Sequence, residues 1–283
     1  MCQLSLSSST APKSSINNML SADYFFTTRP SEIQAVFVSD LHLSPMTPKL
    51  SAAFIQLLGD LKQLPNLDSL FILGDWLDAW LGDDTYVSLS QADKAKHWLH
   101  PVILALNALA DHKVQIFVMQ GNRDFMIRQA LCDTFKGALI QEPYPIHTTQ
   151  SRIRLEHGDA LCTDDMSYQR YRSVIRHPVT GFILNRLPLS VRKKLAGNIQ
   201  DTSKNQKTTK AFAILDVNED AVSAALKEYD ILLHGHTHRP HVHHYGHQAR
   251  IVLGDWRMEG TQVCAEIGLM IGEDLQLAQF KHG

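Results

Sequence analysis

The sequence predicts an α/β fold in which mixed β-sheets pack face to face and helices lie outside. Three observations carry that reading. Apolar runs of strand length recur along the chain, and each stops at a Gly, Asp, Asn or His. Segments with apolar residues at helical spacing separate several of these runs. The later strands are expected to pair antiparallel, which makes the sheets mixed. With 283 residues, 44% of them apolar, the chain is long enough to bury a sizeable core.

The elements follow in order. Residues 1–33 are Ser-rich and lack a signal-peptide type apolar core, so they read as a flexible extension, with Met19 as an alternative start. Residues 34–283 read as the folded domain. Ala35–Ser39 is a buried strand ending at Asp40. Pro45 and Pro48 delay the next helix to about Leu50, and Ser51–Leu61 carries the helical pattern. Leu70–Leu73 is a second strand, ending at Gly74-Asp75. Ala92–Ala110 reads as one helix, kinked or broken at Pro101. Val114–Met119 is a third strand and runs to Gly121-Asn122. Arg152–Leu155 leads to His157-Gly158-Asp159. Val222–Glu228 is helical, Asp230–Leu233 runs into His234, and Arg250–Leu253 meets Gly254-Asp255-Trp256. That last GDW reads as a strand-end echo of the GDW at 74–76. His241, His243, His244 and His247, past Pro240, read as exposed histidines of a loop or hairpin.

Composition excludes several classes. Lys+Arg is 27 against 29 Asp+Glu, a net charge of -2, which argues against a generally basic nucleic-acid binder. No stretch approaches the ~20 apolar residues of a membrane span. The four cysteines, at 2, 132, 162 and 264, are too sparse to staple the chain, so a cytoplasmic setting is expected. No protein partner is predicted.

Ligands gather beyond the carboxyl ends of strands in such sheets, and five clusters sit there. They supply Asp40, His42, Asp75, Asn122, His157, His236 and His238. This mixed oxygen and nitrogen set, without thiolate, suits Mn, Fe, Zn or Co better than Ca or Mg. Seven ligands suit two ions, which at ~3.5–4 Å apart need a bridging carboxylate. Asp75 is the natural bridge. Alternation in extended backbone would bring Asp40 and His42 to one face, and His236 and His238 likewise. Asp124 is expected to orient His157 or Arg123, or to cap a helix starting near Phe125.

Arg123 follows Asn122. A guanidinium grips phosphate but cannot act as an acid near pH 7. The site therefore matches a leaving group that departs unprotonated, such as a phosphate monoester. Residues 166–210 hold ten Lys/Arg and one acid, Asp201, interleaved with Phe182, Ile183, Leu184 and Leu187. That mixture is expected to contact an amphiphilic anionic substrate or an anionic bilayer.

DLH at 40–42, GDxxD at 74–78, GNRD at 121–124, HGD at 157–159 and GHTH at 235–238 together resemble the calcineurin-like metallophosphoesterase superfamily. The resemblance covers about 34–256. It implies a mixed β-sandwich flanked by helices and holding two metals. It also implies that Asp40, His42, His238 and bridging Asp75 hold one metal, and that Asn122, His157, His236 and Asp75 hold the other. Within the superfamily, GNRDF at 121–125, HGDALCTDD at 157–165, YQRYR at 168–172, LPLSVRKK at 187–194, LDVN at 215–218 and GHTHRP at 235–240 resemble the UDP-2,3-diacylglucosamine hydrolase family.

That second resemblance implies several expectations. The diphosphate of UDP-2,3-diacylglucosamine is hydrolysed by water attack at the α-phosphorus, giving UMP and 2,3-diacylglucosamine 1-phosphate for lipid A synthesis. Two Mn2+ ions are required, and the protein lies peripherally on the cytoplasmic face of the inner membrane. Residues 166–210 form an inserted helical cap for the acyl chains. Asp75, Asn122 and Arg123 are catalytic. Asn122, Arg123, Asp165, Ser203, Lys207, Lys210 and His238 contact substrate, although Lys207 replaces the family's usual Asn. The alternative is a metallophosphodiesterase or nucleotide pyrophosphatase acting on a soluble, non-lipid substrate.

Overall fold

A computed structural model describes residues 19–195 and 216–283. The first sheet is built on four short parallel strands, β1 (Ile33–Val38), β2 (Ser69–Leu73), β3 (Gln115–Met119) and β4 (Ala138–Ile140), side by side in that order. The second contains β5 (Tyr144–His147), β6 (Arg152–Leu155), β7 (Ile231–His234), β8 (His241–Tyr245) and β9 (Gln248–Val252), ordered β5-β6-β7-β9-β8. Three C-terminal strands complete the first sheet: β10 (Arg257–Glu259), β11 (Gln262–Ile271) and β12 (Asp274–His282), with β11 antiparallel to β1. Both sheets are mixed, as the sequence predicts.

The strands of the first sheet are apolar without alternation because both of their faces are covered. Toward the second sheet they present Phe37, Phe71 and Phe117, whose rings stack at 5.0 and 4.7 Å, against Leu155, Leu233 and Ile251. Toward the outside, Val36, Leu70, Ile72 and Val118 meet helices Pro48–Leu61 and His100–Asp111. Helix Glu219–Leu226 covers the second sheet, burying Val222 and Leu226 with Leu232. Asn218 starts it by accepting from the amides of Asp220 and Ala221.

Several local expectations change. Residues 22–33, assigned to the extension, are packed against the domain. Ser21 caps helix Ala22–Thr28, and Ala22 and Phe25 are buried in the core. Ala92–Ala110 is two helices, Gln91–Lys96 and His100–Asp111. Pro101 opens the second, where its missing N–H is harmless. Pro48 likewise opens its helix rather than delaying it. The histidines at 241–247 belong to the β8–β9 hairpin, with His241 and His243 partly buried and His244 and His247 exposed. No described helix is long and apolar enough to cross a membrane.

The segment between β6 and β7 carries helices Met166–Ile175 and Pro178–Arg186, and residues 189–195 are also helical. Its surface is apolar in an unusual proportion. Met166, Val174, Val179, Phe182 and Ile183 are each more than half exposed. The basic residues there divide into two groups. Arg172 and Arg176 turn inward to Asp159 and Glu142, and Arg192, almost fully buried, pairs with Asp84. Arg170, Arg186, Lys193 and Lys194 are exposed. The open basic surface is therefore smaller than the residue count of the segment implies.

Candidate metal centre

All seven ligand candidates come together at one end of the sandwich. The first sheet supplies four of them: Asp40 and His42 after β1, Asp75 after β2 and Asn122 after β3. The second supplies His157 after β6 and His236 and His238 after β7. The convergence does not come from extended alternation. Asp40, His42, Asp75, His236 and His238 all have left-handed backbone, with φ of 55, 50, 49, 67 and 55°. Such residues cost ~1–3 kcal/mol each and persist only where surrounding bonds fix them. Here those bonds are Asp40 N–H to Gly74 O at 3.1 Å, His42 N–H to Asp75 O at 3.0 Å and Trp256 N–H to Asp40 O at 3.1 Å.

Two groups of ligand atoms can be distinguished. His238 Nε2 lies 3.3 Å from both Asp40 Oδ1 and His42 Nε2, so Asp40, His42 and His238 can share an ion. Asn122 Oδ1 lies 3.0 Å from both His157 Nε2 and His236 Nδ1. Asp75 stands between the groups. Its Oδ2 is 3.9 Å from His42 Nδ1, and its Oδ1 is 3.7 Å from His157 Nε2. Asp40, Asp75 and His157 also form a possible ligand set. A side chain at Gly121 would overlap Asp75 Oδ1 and the Asp75 backbone N, and one at Gly235 would overlap Ser39 and Asp40, so both glycines are required for this approach.

The residues fit cations. Asp40 Oδ1 and His42 Nδ1 are buried and have no hydrogen-bond partner, although such atoms normally find one. Asp40 and Asp75 are almost wholly shielded from solvent. Burial pushes Asp75 up to about 7 against the pull of His157. Burial pushes His42 and His236 down to about 3, which keeps their imidazoles in the neutral, ligating form. His157 rises to about 9, because Asp75 and Asp40 outweigh the opposing effect of its burial. The donor set is oxygen and nitrogen only, as borderline divalent ions prefer.

Neighbouring groups hold the ligands in place. Asp124 neither caps a helix at Phe125 nor reaches His157 or Arg123 by hydrogen bond. It accepts from the amides of Gly121 at 2.7 Å and Leu77 at 3.2 Å, and so ties the loop after β3 to the loop after β2. His157 Nδ1 lies 3.0 Å from Leu73 O, which accepts its proton and leaves Nε2 toward the site. Asp255 is more than an echo of Asp75. Its Oδ2 lies 3.5 Å from His238 Nδ1, so the second GDW orients a ligand. The repeat itself was the sequence signal for this role.

Arg123 sits at the mouth, its side chain about one third exposed. It is paired with Asp78, and its Nε is 3.6 Å from Asp75 Oδ2. Asp165 starts helix Met166–Ile175, accepting from Tyr168 N–H at 3.0 Å and Ser167 Oγ at 2.7 Å. Tyr168 from that helix lies over His236, ring centroids 6.2 Å apart. Ser203, Lys207 and Lys210 lie outside the described residues. Charge counting missed the cluster in which Asp159 accepts from Arg172 Nε at 3.0 Å and Arg176 Nη2 at 3.2 Å, while Glu142 takes Arg176 Nη1 at 2.7 Å and the His157 N–H at 3.0 Å.

Residues 33–240 match the family model for calcineurin-like phosphoesterases. A UDP-2,3-diacylglucosamine hydrolase of Pseudomonas savastanoi pv. phaseolicola is 41% identical over 80% of this chain and 89% of its own length. One from Pseudomonas syringae pv. tomato is 39% identical over the same shares, and one from Stutzerimonas stutzeri is 37% identical over 80% and 92%. By this match across most of its length, and by relatives at this level of identity, the chain belongs to the calcineurin-like phosphoesterases and, among them, to the UDP-2,3-diacylglucosamine hydrolase family.

Proposed function

We propose that the chain hydrolyses the diphosphate of UDP-2,3-diacylglucosamine to UMP and 2,3-diacylglucosamine 1-phosphate, with two Mn2+ ions, as a step of lipid A synthesis. One observation carries this reading. A two-group ligand centre lies directly beneath a helical segment that places Tyr168 over His236 while its apolar side chains face outward. A soluble diester does not need that surface.

When bound, divalent ions supply Lewis acidity to phosphoryl oxygens and acidify a water. Asp40, His42, His238 and Asp75 would hold one ion, and Asn122, His157 and His236, again with Asp75, would hold the other. Asn122 has its Oδ1 among the ligand nitrogens, which leaves its amide N–H free to donate to a phosphoryl oxygen. Arg123, held by Asp78, donates to the same phosphoryl group and stabilises charge as it develops in the transition state. No protonating side chain stands where Arg123 does, which suits a sugar phosphate that leaves as an anion. Asp165 and His238 are assigned to substrate contact, and Ser203, Lys207 and Lys210 join them in this proposal. The exposed apolar residues of the cap, with Arg170, Arg186, Lys193 and Lys194, support peripheral docking on the anionic cytoplasmic face of the inner membrane.

Turnover of UDP-2,3-diacylglucosamine in 18O-water tests the reaction. Label in UMP is expected, and label in the sugar phosphate overturns attack at the α-phosphorus. The deacylated analogue should be a much poorer substrate. Equal turnover of both would favour a soluble nucleotide pyrophosphatase.

A further inference from the structure

Residues 253–256 carry the chain from β9 of the second sheet to β10 of the first. The crossing passes beside the metal centre and touches a ligand from each sheet. Asp255 Oδ2 lies 3.5 Å from Nδ1 of His238, a ligand of the second sheet. The Trp256 amide donates to the backbone oxygen of Asp40, a ligand of the first, at 3.1 Å. These two ligands also meet each other, with His238 Nε2 3.3 Å from Asp40 Oδ1. All of these contacts fall within the Asp40, His42 and His238 group. The other group is supported elsewhere, since His157 is held by Leu73 O and by Glu142.

The crossing is itself pinned by one ion pair. Arg257, the first residue of β10, donates from Nη1 to Glu266 Oε2 at 2.8 Å and from Nη2 to Glu266 Oε1 at 2.9 Å. Its Nη1 also donates to the Asp255 backbone oxygen at 3.2 Å and lies 3.6 Å from Asp255 Oδ1. One oxygen of Asp255 thus faces the guanidinium while the other faces His238. Glu266 is only 1% exposed, in the middle of β11 between the buried Ala265 and Ile267. The backbone closes on it as well. The Gly254 amide donates to Glu266 O at 3.0 Å, and a side chain at Gly254 would overlap Glu266 Oε2. Taking such a pair out of water is costly, and well-packed apolar residues of similar volume often serve stability equally or better. Stability alone therefore gives no reason for a carboxylate in this strand. What the pair fixes is the position of the crossing.

We propose that Arg257 and Glu266 are positioning residues for one of the two ions, the one assigned to Asp40, His42 and His238. They hold the crossing so that Asp255 fixes the His238 ring and Trp256 fixes Asp40. The ion assigned to Asn122, His157 and His236 does not depend on them. The proposal rests on the two-ion reading given above. It extends the support of the centre to residues beyond the 33–240 that match the family model. Groups that orient a ligand from behind in this way typically govern metal affinity by about 10–100-fold.

The test uses the full chain without substrate and measures Mn2+ binding by equilibrium dialysis. Wild-type protein should bind two ions. Arg257→Met and Asp255→Ala should each weaken one ion by about 10–100-fold and leave the other within about twofold. Asp255→Asn, whose amide oxygen can still accept from His238 Nδ1–H, should recover most of the loss. With Zn2+ in place of Mn2+, the ring 15N signals of His157 and His236 should keep their metal-bound shifts in Arg257→Met, while those of His42 and His238 lose them. Wild-type affinity for both ions, or an equal weakening of both, overturns the proposal. Arg257→Met leaves Glu266 buried without its partner, so Arg257→Met combined with Glu266→Met is measured beside it. This folded double variant should show the same selective loss, and two ions at wild-type affinity there overturn the proposal too. A wild-type count below two overturns the two-ion reading and this proposal together, and it shows before any variant is compared. Failure of the proposed reaction is a separate outcome. It would appear as absent turnover of UDP-2,3-diacylglucosamine by a protein that holds two ions and loses one of them selectively in Arg257→Met.

Discussion

The metal centre and the cap invert the usual distribution of side chains in opposite ways. The centre buries charge. Asp40, Asp75, Asp124 and His157 are all almost completely shielded, in a space where unpaired ions are costly. The cap exposes apolar surface, with Phe182, Val179 and Val174 each more than half open. Both arrangements oppose stability when nothing is bound, and each is offset by a different kind of ligand. Cations fit the first, and the second would need apolar cover, as the function proposed above supplies. The two regions carry opposite anomalies, and they are joined by Arg172 and Arg176 on Asp159 and Glu142, by Arg192 on Asp84 and by Leu184 packed on the core.

The largest effect is expected at Asp75, which stands between the two ligand groups. Asp75→Ala is expected to abolish turnover and strip bound metal, by elemental analysis, while circular dichroism shows the fold retained. A variant that keeps two ions would break the reading of Asp75 as shared ligand. Next is the joint between the regions. Asp159→Ala leaves Arg172 and Arg176 facing a buried site with Glu142 alone, and a loss of roughly 3–5 kcal/mol in denaturant unfolding is expected. A loss under 1 kcal/mol would show that the cap is attached by other means.

The third effect depends on pH. In the metal-free chain, His157 is raised to about 9 from 6.5, and Asp75 to about 7 from 3.8. Groups raised in this way stabilise the fold at low pH, and that stability is lost as pH rises through 7 and then 9. A cation displaces the same protons, so its affinity rises over the same range. The difference in melting temperature between Mn2+-loaded and metal-free protein should therefore widen from pH 6 to pH 9. A constant difference would show that these two groups do not compete with the ions. The smallest effect is expected at the cap surface. Phe182→Ser should change stability by no more than ~0.5 kcal/mol, yet narrow the preference for diacylated over deacylated substrate. An unchanged preference would mean that the exposed ring has no part in acyl recognition.

The site was far more legible in the sequence than its surroundings. Each ligand cluster is local: a strand ends, and within three or four residues the carboxylate, amide or imidazole appears. The left-handed backbone at Asp40, His42, Asp75, His236 and His238 was not legible, because these residue types usually adopt other conformations and only tertiary bonds hold them there. The inward turn of Arg172 and Arg176 is not legible in the sequence for a related reason. Their acidic partners lie 13 to 34 positions away, so a count within 166–210 treats paired and unpaired cations alike. The β11–β12 hairpin is less legible, although Gly272-Glu273 marks its turn and seven of the ten residues of β11 are apolar. Helix Ala22–Thr28 was hidden by the Ser-rich residues before it.

The division of ligands between the sheets has a mechanical consequence. Asp40, His42, Asp75 and Asn122 ride on one leaf of the sandwich and His157, His236 and His238 on the other, like the two halves of a clasp on the open edge of a book. Between the leaves, Phe37, Phe71 and Phe117 of the first stack with one another and meet Tyr144 of the second. The packing between the leaves therefore also sets the spacing of Asn122 from His157 and His236 across the centre.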